Sequence, residues 1–145
     1  MPSHSSDAVP FQLQKTLSER TKMATRIRQK MKETGSVPVI CERHEQVAGE
    51  LVQLPKSKYL VEASATVLRL RNAIRSDAQL QSDDPLFLYH AGTSTEIPDG
   101  ELITAIDQAH VNDDGFLYVH VSALPPDTMR RQGVSALPPD AMRRL

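Results

Sequence analysis

Val37-Pro38-Val39-Ile40-Cys41-Glu42-Arg43 and, after a polar connection, Lys56-Ser57-Lys58-Tyr59-Leu60-Val61 decide how this chain reads. Both runs are short, rich in β-branched and aromatic residues, and bounded by polar residues and turn formers. That composition predicts paired strands. Successive strand side chains alternate between faces. Val37, Val39 and Cys41 therefore share one face, while Pro38, Ile40 and Glu42 share the other. In the same way Tyr59 and Val61 stand opposite Lys58 and Leu60. Both faces of the first run are apolar in the middle, which a one-sided surface strand does not need. Pro38 cannot donate to a ladder, so it belongs at an edge, a strand start or a bulge. One face should enter a core, and the other should meet a packed helix, a partner, or both. A sheet edge with an apolar face left over can take up an extended peptide as a further strand.

Upstream, Phe11 to Glu33 predicts helix, with Leu13, Leu17, Ala24, Ile27 and Met31 on an inward stripe and charges between them. Thr16-Leu17-Ser18-Glu19 fits a capping box, so a break into two helices is expected there. Thr34-Gly35-Ser36 ends the pattern. Downstream of Val61, Ser64 or Thr66 can cap a helix carrying Val67, Leu70, Ala73 and Ile74 on one stripe. Asp83-Asp84-Pro85 breaks it, and Leu86 to Tyr89 predicts a buried strand. Ala91 to Gly100 is turn-rich. Glu101 to Ala109 predicts a short helix with Leu102, Ile103 and Ile106 inward, and Asn112 to Gly115 is a turn. Phe116 to Val121 is the last strand. A hairpin, a helix across one face and a late strand returning beside the first give an α+β, ubiquitin-like β-grasp. Its sheet is four-stranded and mixed, with an N-terminal helical extension.

After it, Val121–Arg131 is repeated as Val134–Arg144 with Ala141 for Thr128. Two Pro-Pro copies predict a mobile or weakly docked extension in which Leu124 or Met129 could fold back over the groove as a lid. The resulting division is 1–10 flexible N-terminus, 11–35 helices, 36–121 ubiquitin-like core and 122–145 repeated tail.

The bulk numbers bound the function. A chain of 145 residues, 39% hydrophobic and 24% charged, allows a single domain with a short extension. Aromatic residues make up 4% and Trp is absent, so the core must be aliphatic. The net charge of -1 hides an uneven spread. Lys15, Arg20, Lys22, Arg26, Arg28, Lys30 and Lys32 crowd the first helix, and the stretch from Asp77 to Asp114 carries nine acids and no Lys or Arg. A basic front suits anionic partners such as tubulin or a membrane, but charge runs are most often solvated faces, and that reading is preferred. The single Cys41 excludes an internal disulfide and shares its face with Val37 and Val39, so a buried inert thiol is expected. His4, His44, His90, His110 and His120 lack metal-ligand spacing, and no cofactor motif occurs. No apolar run approaches spanning length, which makes the cytosol the parsimonious compartment.

Pro38 to Arg43, Lys56 to Val61, Ile74-Arg75, Leu86-Phe87, Asp107 to His110 and Asp113 to Val119 resemble, in order and spacing, the autophagy ubiquitin-like modifiers. That family includes the microtubule-associated light chains and the GABA-receptor-associated protein, and the resemblance covers about Phe11 to Val121. It implies binding of aromatic-x-x-aliphatic peptides as an added strand along the second strand. Pro38, Ile40, Lys58, Leu60 and Phe116, closed by Ile27, would line the aromatic pocket. Tyr59, Val61, Leu70 and Ala73 would line the aliphatic one.

The resemblance further implies a non-enzymatic modifier of autophagosome formation and cargo selection. Its partners would be cargo receptors, a processing cysteine protease and conjugating enzymes. Trimming to a terminal glycine and joining to phosphatidylethanolamine would place it on the autophagosomal membrane, and otherwise in the cytoplasm. No cofactor, metal or nucleic acid is expected. Gly133 is the only glycine after Gly115, so it is the candidate conjugation site. It is preceded by Gln132 where the family has an aromatic. The other reading is a non-conjugated adaptor that meets microtubules or scaffold partners through the basic helix. Ser76-Asp77 replace a basic run usual in the family, which should weaken or redirect its preference for acid-flanked motifs. Glu62 stands where proline is usual, and Ala73 should widen the aliphatic pocket.

Overall fold

The β-branched run around Val39 forms the strand that ties the molecule together, in a computed structural model describing residues 9–44 and 54–137. In chain order the elements are α1 (Phe11–Gln14), α2 (Leu17–Lys30), β1 (Val37–Arg43), β2 (Lys58–Val61), α3 (Val67–Asp77), β3 (Phe87–His90), α4 (Ile103–His110), β4 (Leu117–Ser122) and α5 (Pro126–Arg131). Strands lie in the order β2-β1-β4-β3. β1 runs antiparallel to β2, with Val37 opposite Val61 and Val39 opposite Tyr59. It runs parallel to β4, with Val39 opposite Leu117 and Cys41 opposite Val119. A parallel pair needs a crossover, and the segment carrying α3, β3 and α4 supplies it. This is the ubiquitin-like α+β layout that the sequence predicts. Pro38 sits one residue before the parallel pairing begins, so no β4 partner requires its missing N–H.

The period of two divides the sheet as expected. Val37, Val39, Cys41, Tyr59 and Val61 pack with Leu70 and Ile74 of α3 in the main core. Ile40, Phe116 and Tyr118 face the other way, against Phe11 and Ala24 of the N-terminal helices. Burial pushes the Cys41 thiol far up, with Glu42 adding to the shift, so it stays a protonated packing group.

Two ion pairs fasten α2 to the core. Arg20 Nη1 reaches Asp114 Oδ2 at 3.2 Å, where the Asp114 side chain has no exposure. Arg28 donates to both oxygens of Asp107 at 3.0 and 2.9 Å, and to the Gly115 carbonyl at 2.8 Å. So two of the seven bases of the front segment are structural, while Lys22, Arg26, Lys30 and Lys32 are exposed. The expected break occurs at Lys15, which is extended, and Thr16 and Glu19 close the capping box ahead of α2.

Three expectations are corrected. Leu13 and Leu17 are exposed, and the inward positions belong to Phe11, Arg20 and Ala24. The break at Lys15 changes the phase of the helix, and Asp114 draws Arg20 in. Leu102 is also exposed, because it precedes α4 as its N-cap and lies outside the helical stripe.

The tail is the third. Residues 122–137 are docked: Met129 and Val134 are buried with Tyr89 on the β3 side, and the Tyr89 hydroxyl donates to the Leu124 carbonyl at 2.6 Å. The lid expected over the groove is thus not formed by Leu124 or Met129, which are engaged at the opposite end of the sheet. Proline suits the start of a helix, where its missing N–H needs no acceptor, and Pro126 opens α5 there. Residues 1–8, residues 45–53 of the β1–β2 connection and residues 138–145, most of the second repeat, lie outside the described residues.

Candidate functional site

An open sheet edge is a row of backbone donors and acceptors waiting for a strand. The sheet has two edges, and they differ. β3 is covered by its own return: Ile97 N donates to Leu88 O at 2.8 Å and His90 N to Thr95 O at 3.2 Å. β2 pairs with β1 on its inner side, and among the described residues nothing pairs with its outer side. Cys41 N donates to Ser57 O at 2.7 Å, so by alternation the inner side takes residues 57, 59 and 61. Lys58 and Leu60 consequently turn their N–H and C=O groups outward.

Side chains on the two faces of this edge form two distinct surroundings. On the α2 face, Leu60 is 49% exposed and Lys58 is exposed, with its Nζ 5.1 Å from the centre of the Phe11 ring. Beneath them Ile40, Pro38 and Phe116 are buried, and Ile27 is half-buried against the same cluster. All six residues expected for the aromatic pocket are thus brought together, with Leu60 and Lys58 as the accessible rim. Phe11 was not foreseen. It meets Phe116 edge-on at 5.2 Å, and its N–H donates to Glu42 Oε2 at 2.7 Å. As the lone aromatic of the N-terminal segment, it carried a signal that periodicity alone passed over.

On the α3 face, Tyr59, Val61 and Leu70 belong to the core and Ala73 is half-buried at its margin. Of these four, Ala73 alone is not fully buried. Tyr59 donates its hydroxyl to Asp77 Oδ2 at 2.9 Å. Burial first, and then that hydrogen bond and the carboxylate charge, push its phenol well up, so it remains a donor. Lys56 Nζ lies 3.4 Å from the same Asp77 oxygen and 4.5 Å from the centre of the Tyr59 ring. Asp77 and Lys56 thus join this edge beyond the expected site residues, and the negative charge at Asp77 is the sequence signal for it.

Gly133 is exposed and far from this edge in the fold, just after α5, with φ +94°. Its N–H donates to Arg130 O at 3.0 Å and the Val134 N–H to Met129 O at 3.1 Å. Those two bonds, with Val134 touching Met129, make a Schellman ending, which demands a left-handed residue at this position. Among the described residues no group of His, Cys, Asp or Glu is arranged to hold a metal ion, and no helix is long and apolar enough to cross a membrane.

With this geometry established, comparison with known proteins is direct. A family description reading "Autophagy protein Atg8 ubiquitin like" matches residues 19–125. Autophagy-related protein 8 of Saccharomyces cerevisiae is 35% identical over 113 residues, covering 78% of this chain and 86% of that protein. Autophagy-related protein 8B of Oryza sativa is 33% identical over 112 residues, 77% of this chain and 89% of that one. The crystal structure of Trypanosoma brucei ATG8 superposes with a TM-score of 0.68 at 27% identity, covering 79% of this chain and 93% of its own. The residues matched by the family take in the whole sheet, the crossover and all but the start of α2. The chain belongs to the Atg8 family of autophagy ubiquitin-like proteins.

Proposed function

We propose that this protein is a non-enzymatic modifier that captures aromatic-x-x-aliphatic peptides of cargo receptors and autophagy proteins along the outer side of β2. The observation that carries the reading is the asymmetry of the two edges: β3 is closed by residues 95–97, and β2 is open among the described residues. An incoming strand would bond to the outward groups of Lys58 and Leu60. Its aromatic side chain would settle under Lys58 and Leu60 toward Ile27, Ile40, Pro38 and Phe116, and its aliphatic one at Tyr59, Val61, Leu70 and Ala73. Cleavage by a cysteine protease and conjugation at Gly133 to phosphatidylethanolamine would hold it on autophagosomal membranes, with a cytoplasmic pool before conjugation.

The clean test uses Leu60, because Ile40 is fully buried. Truncating Ile40 would cost about 2–5 kcal/mol of stability and confuse the result. Leu60→Ala should weaken binding of a Trp-x-x-Leu peptide about tenfold, in the range of interface anchors, with an unchanged melting temperature. Equal titrations of the two proteins would remove the edge as the site.

A second reading has its own support. The Schellman ending gives Gly133 a complete structural reason to be glycine, and the exposed bases of α2 offer a surface for tubulin or a scaffold. This reading makes the protein a non-conjugated adaptor whose binding to microtubules is lost by about 0.3–0.5 M salt. Intact mass spectrometry of the protein from its own cells separates the two. A lipid-bearing species ending at Gly133 supports conjugation, and only the uncut chain supports the adaptor.

A further inference from the structure

We propose that Asp77 makes the β2 edge select a basic residue, lysine or arginine, at the position directly after the aromatic of the bound peptide. This rests on the strand-addition reading above and specifies its ligand.

Alternation fixes which ligand positions share a face. With the aromatic turned to α2, the residues one and three positions later both turn to α3. The later of these is the aliphatic residue, seated by Val61, Leu70 and Ala73. The earlier one lies two strand residues nearer the aromatic, a step of about 6.6 Å. The protein makes the same step twice. Tyr59 is two residues back from Val61 on β2, and Asp77 is four residues on from Ala73, one turn along the same face of α3. The hydroxyl-to-carboxylate bond at 2.9 Å shows that both steps lead to one place. A ligand side chain directly after the aromatic therefore arrives over Asp77.

The carboxylate is available for a cation. It is 35% exposed, and its contacts with Tyr59 and Lys56 both fall on Oδ2. Lys56 is 56% exposed, and an exposed ion pair of this kind holds its partner only weakly. Arg75, the nearest base on α3, does not offset the charge. It turns into the following loop and donates to the Gln81 and Asp84 carbonyls at 2.7 Å each. A glutamate in the ligand would meet Asp77 as a like charge, and a lysine or arginine would meet it as a partner.

The test titrates the full chain with two short peptides, alike except that one carries Trp-Lys-Ser-Leu and the other Trp-Glu-Ser-Leu. The lysine peptide should bind about threefold to fivefold more tightly at low salt, the scale of an exposed ion pair. Added salt should narrow the gap. Asp77→Asn keeps an acceptor for Tyr59 and should bring the ratio toward one, and Asp77→Lys should invert it. Equal affinities for the wild type, or a preference that survives Asp77→Asn, would overturn the assignment while leaving strand addition intact. If neither peptide binds, the strand-addition reading fails, and this inference with it.

Discussion

Asp114 takes three donors on a side chain with no exposure: the Arg20 guanidinium at 3.2 Å, the Phe116 N–H at 2.8 Å and the Tyr118 hydroxyl. Asp113-Asp114-Gly115 is legible in the sequence as a turn, yet nothing local says that one of its acids is buried against an arginine 94 residues earlier in the chain. Removing that acid leaves a nearly buried guanidinium without its counter-charge. Asp114→Ala should cost about 3 kcal/mol, read from the urea midpoint, and a loss within error of zero would mean that α2 is not fastened here. Gly115 is constrained from two sides. Its φ is +91°, and an added Cβ would stand 2.9 Å from the Ala24 Cβ. Gly115→Ala should therefore destabilise by about 2 kcal/mol. Ala24→Gly in the same background relieves the contact but not the backbone strain, so it should recover only part of the loss.

Between β1, β3 and β4, the buried His44 and the half-buried His120 hold the loop that receives the tail. His120 Nδ1 accepts the Gly92 N–H at 3.0 Å, and His44 Nε2 donates to the Thr93 carbonyl at 3.1 Å. Burial, and then the neighbouring His44, push the His120 imidazole down to about 4. An unfolded histidine takes up its proton near 6.5, whereas the folded one does not until about pH 4. Over that window the unfolded chain binds more protons, so stability falls as the pH falls from about 6.5 to about 4. It is fully present above that range. His90, pushed down to about 4 by burial and by His110, adds to the same trend. His120 alone should account for about 2 kcal/mol, discounted for its residual contact with solvent. The melting temperature should drop between pH 7 and pH 5, and His120→Gln should shrink that drop. An identical pH slope in the variant would place the sensitivity elsewhere. The faces of β1 and β2 were legible because strand side chains alternate with a period of two whatever buries them. The inward face of α1 and α2 was not, since apolar spacing gave credit to Leu13 and Leu17 and none to Arg20, whose burial depends on Asp114.

At the scale of the molecule, the sheet is covered on its second face by two unrelated pieces: the N-terminal helices over Ile40 and Tyr118, and α5 with Val134 over Tyr89. A chain ended after Ser122 should lose about 3 kcal/mol, from the burial of Met129 and Val134, with Tyr89 becoming accessible to iodination. A loss well under 1 kcal/mol would return the tail to the weakly attached extension its prolines suggest. What the sequence alone determined was the grasp layout, the faces of β1 and β2, the break before α2 and the family. Each of these depends on neighbours within a few residues or on ordered motifs. Only the tertiary structure decided which sheet edge is left unpaired among the described residues, which bases are spent as clamps, and where residues 122–137 of the tail rest. Those outcomes turn on contacts between residues dozens of positions apart, and such contacts leave no period in the chain to read.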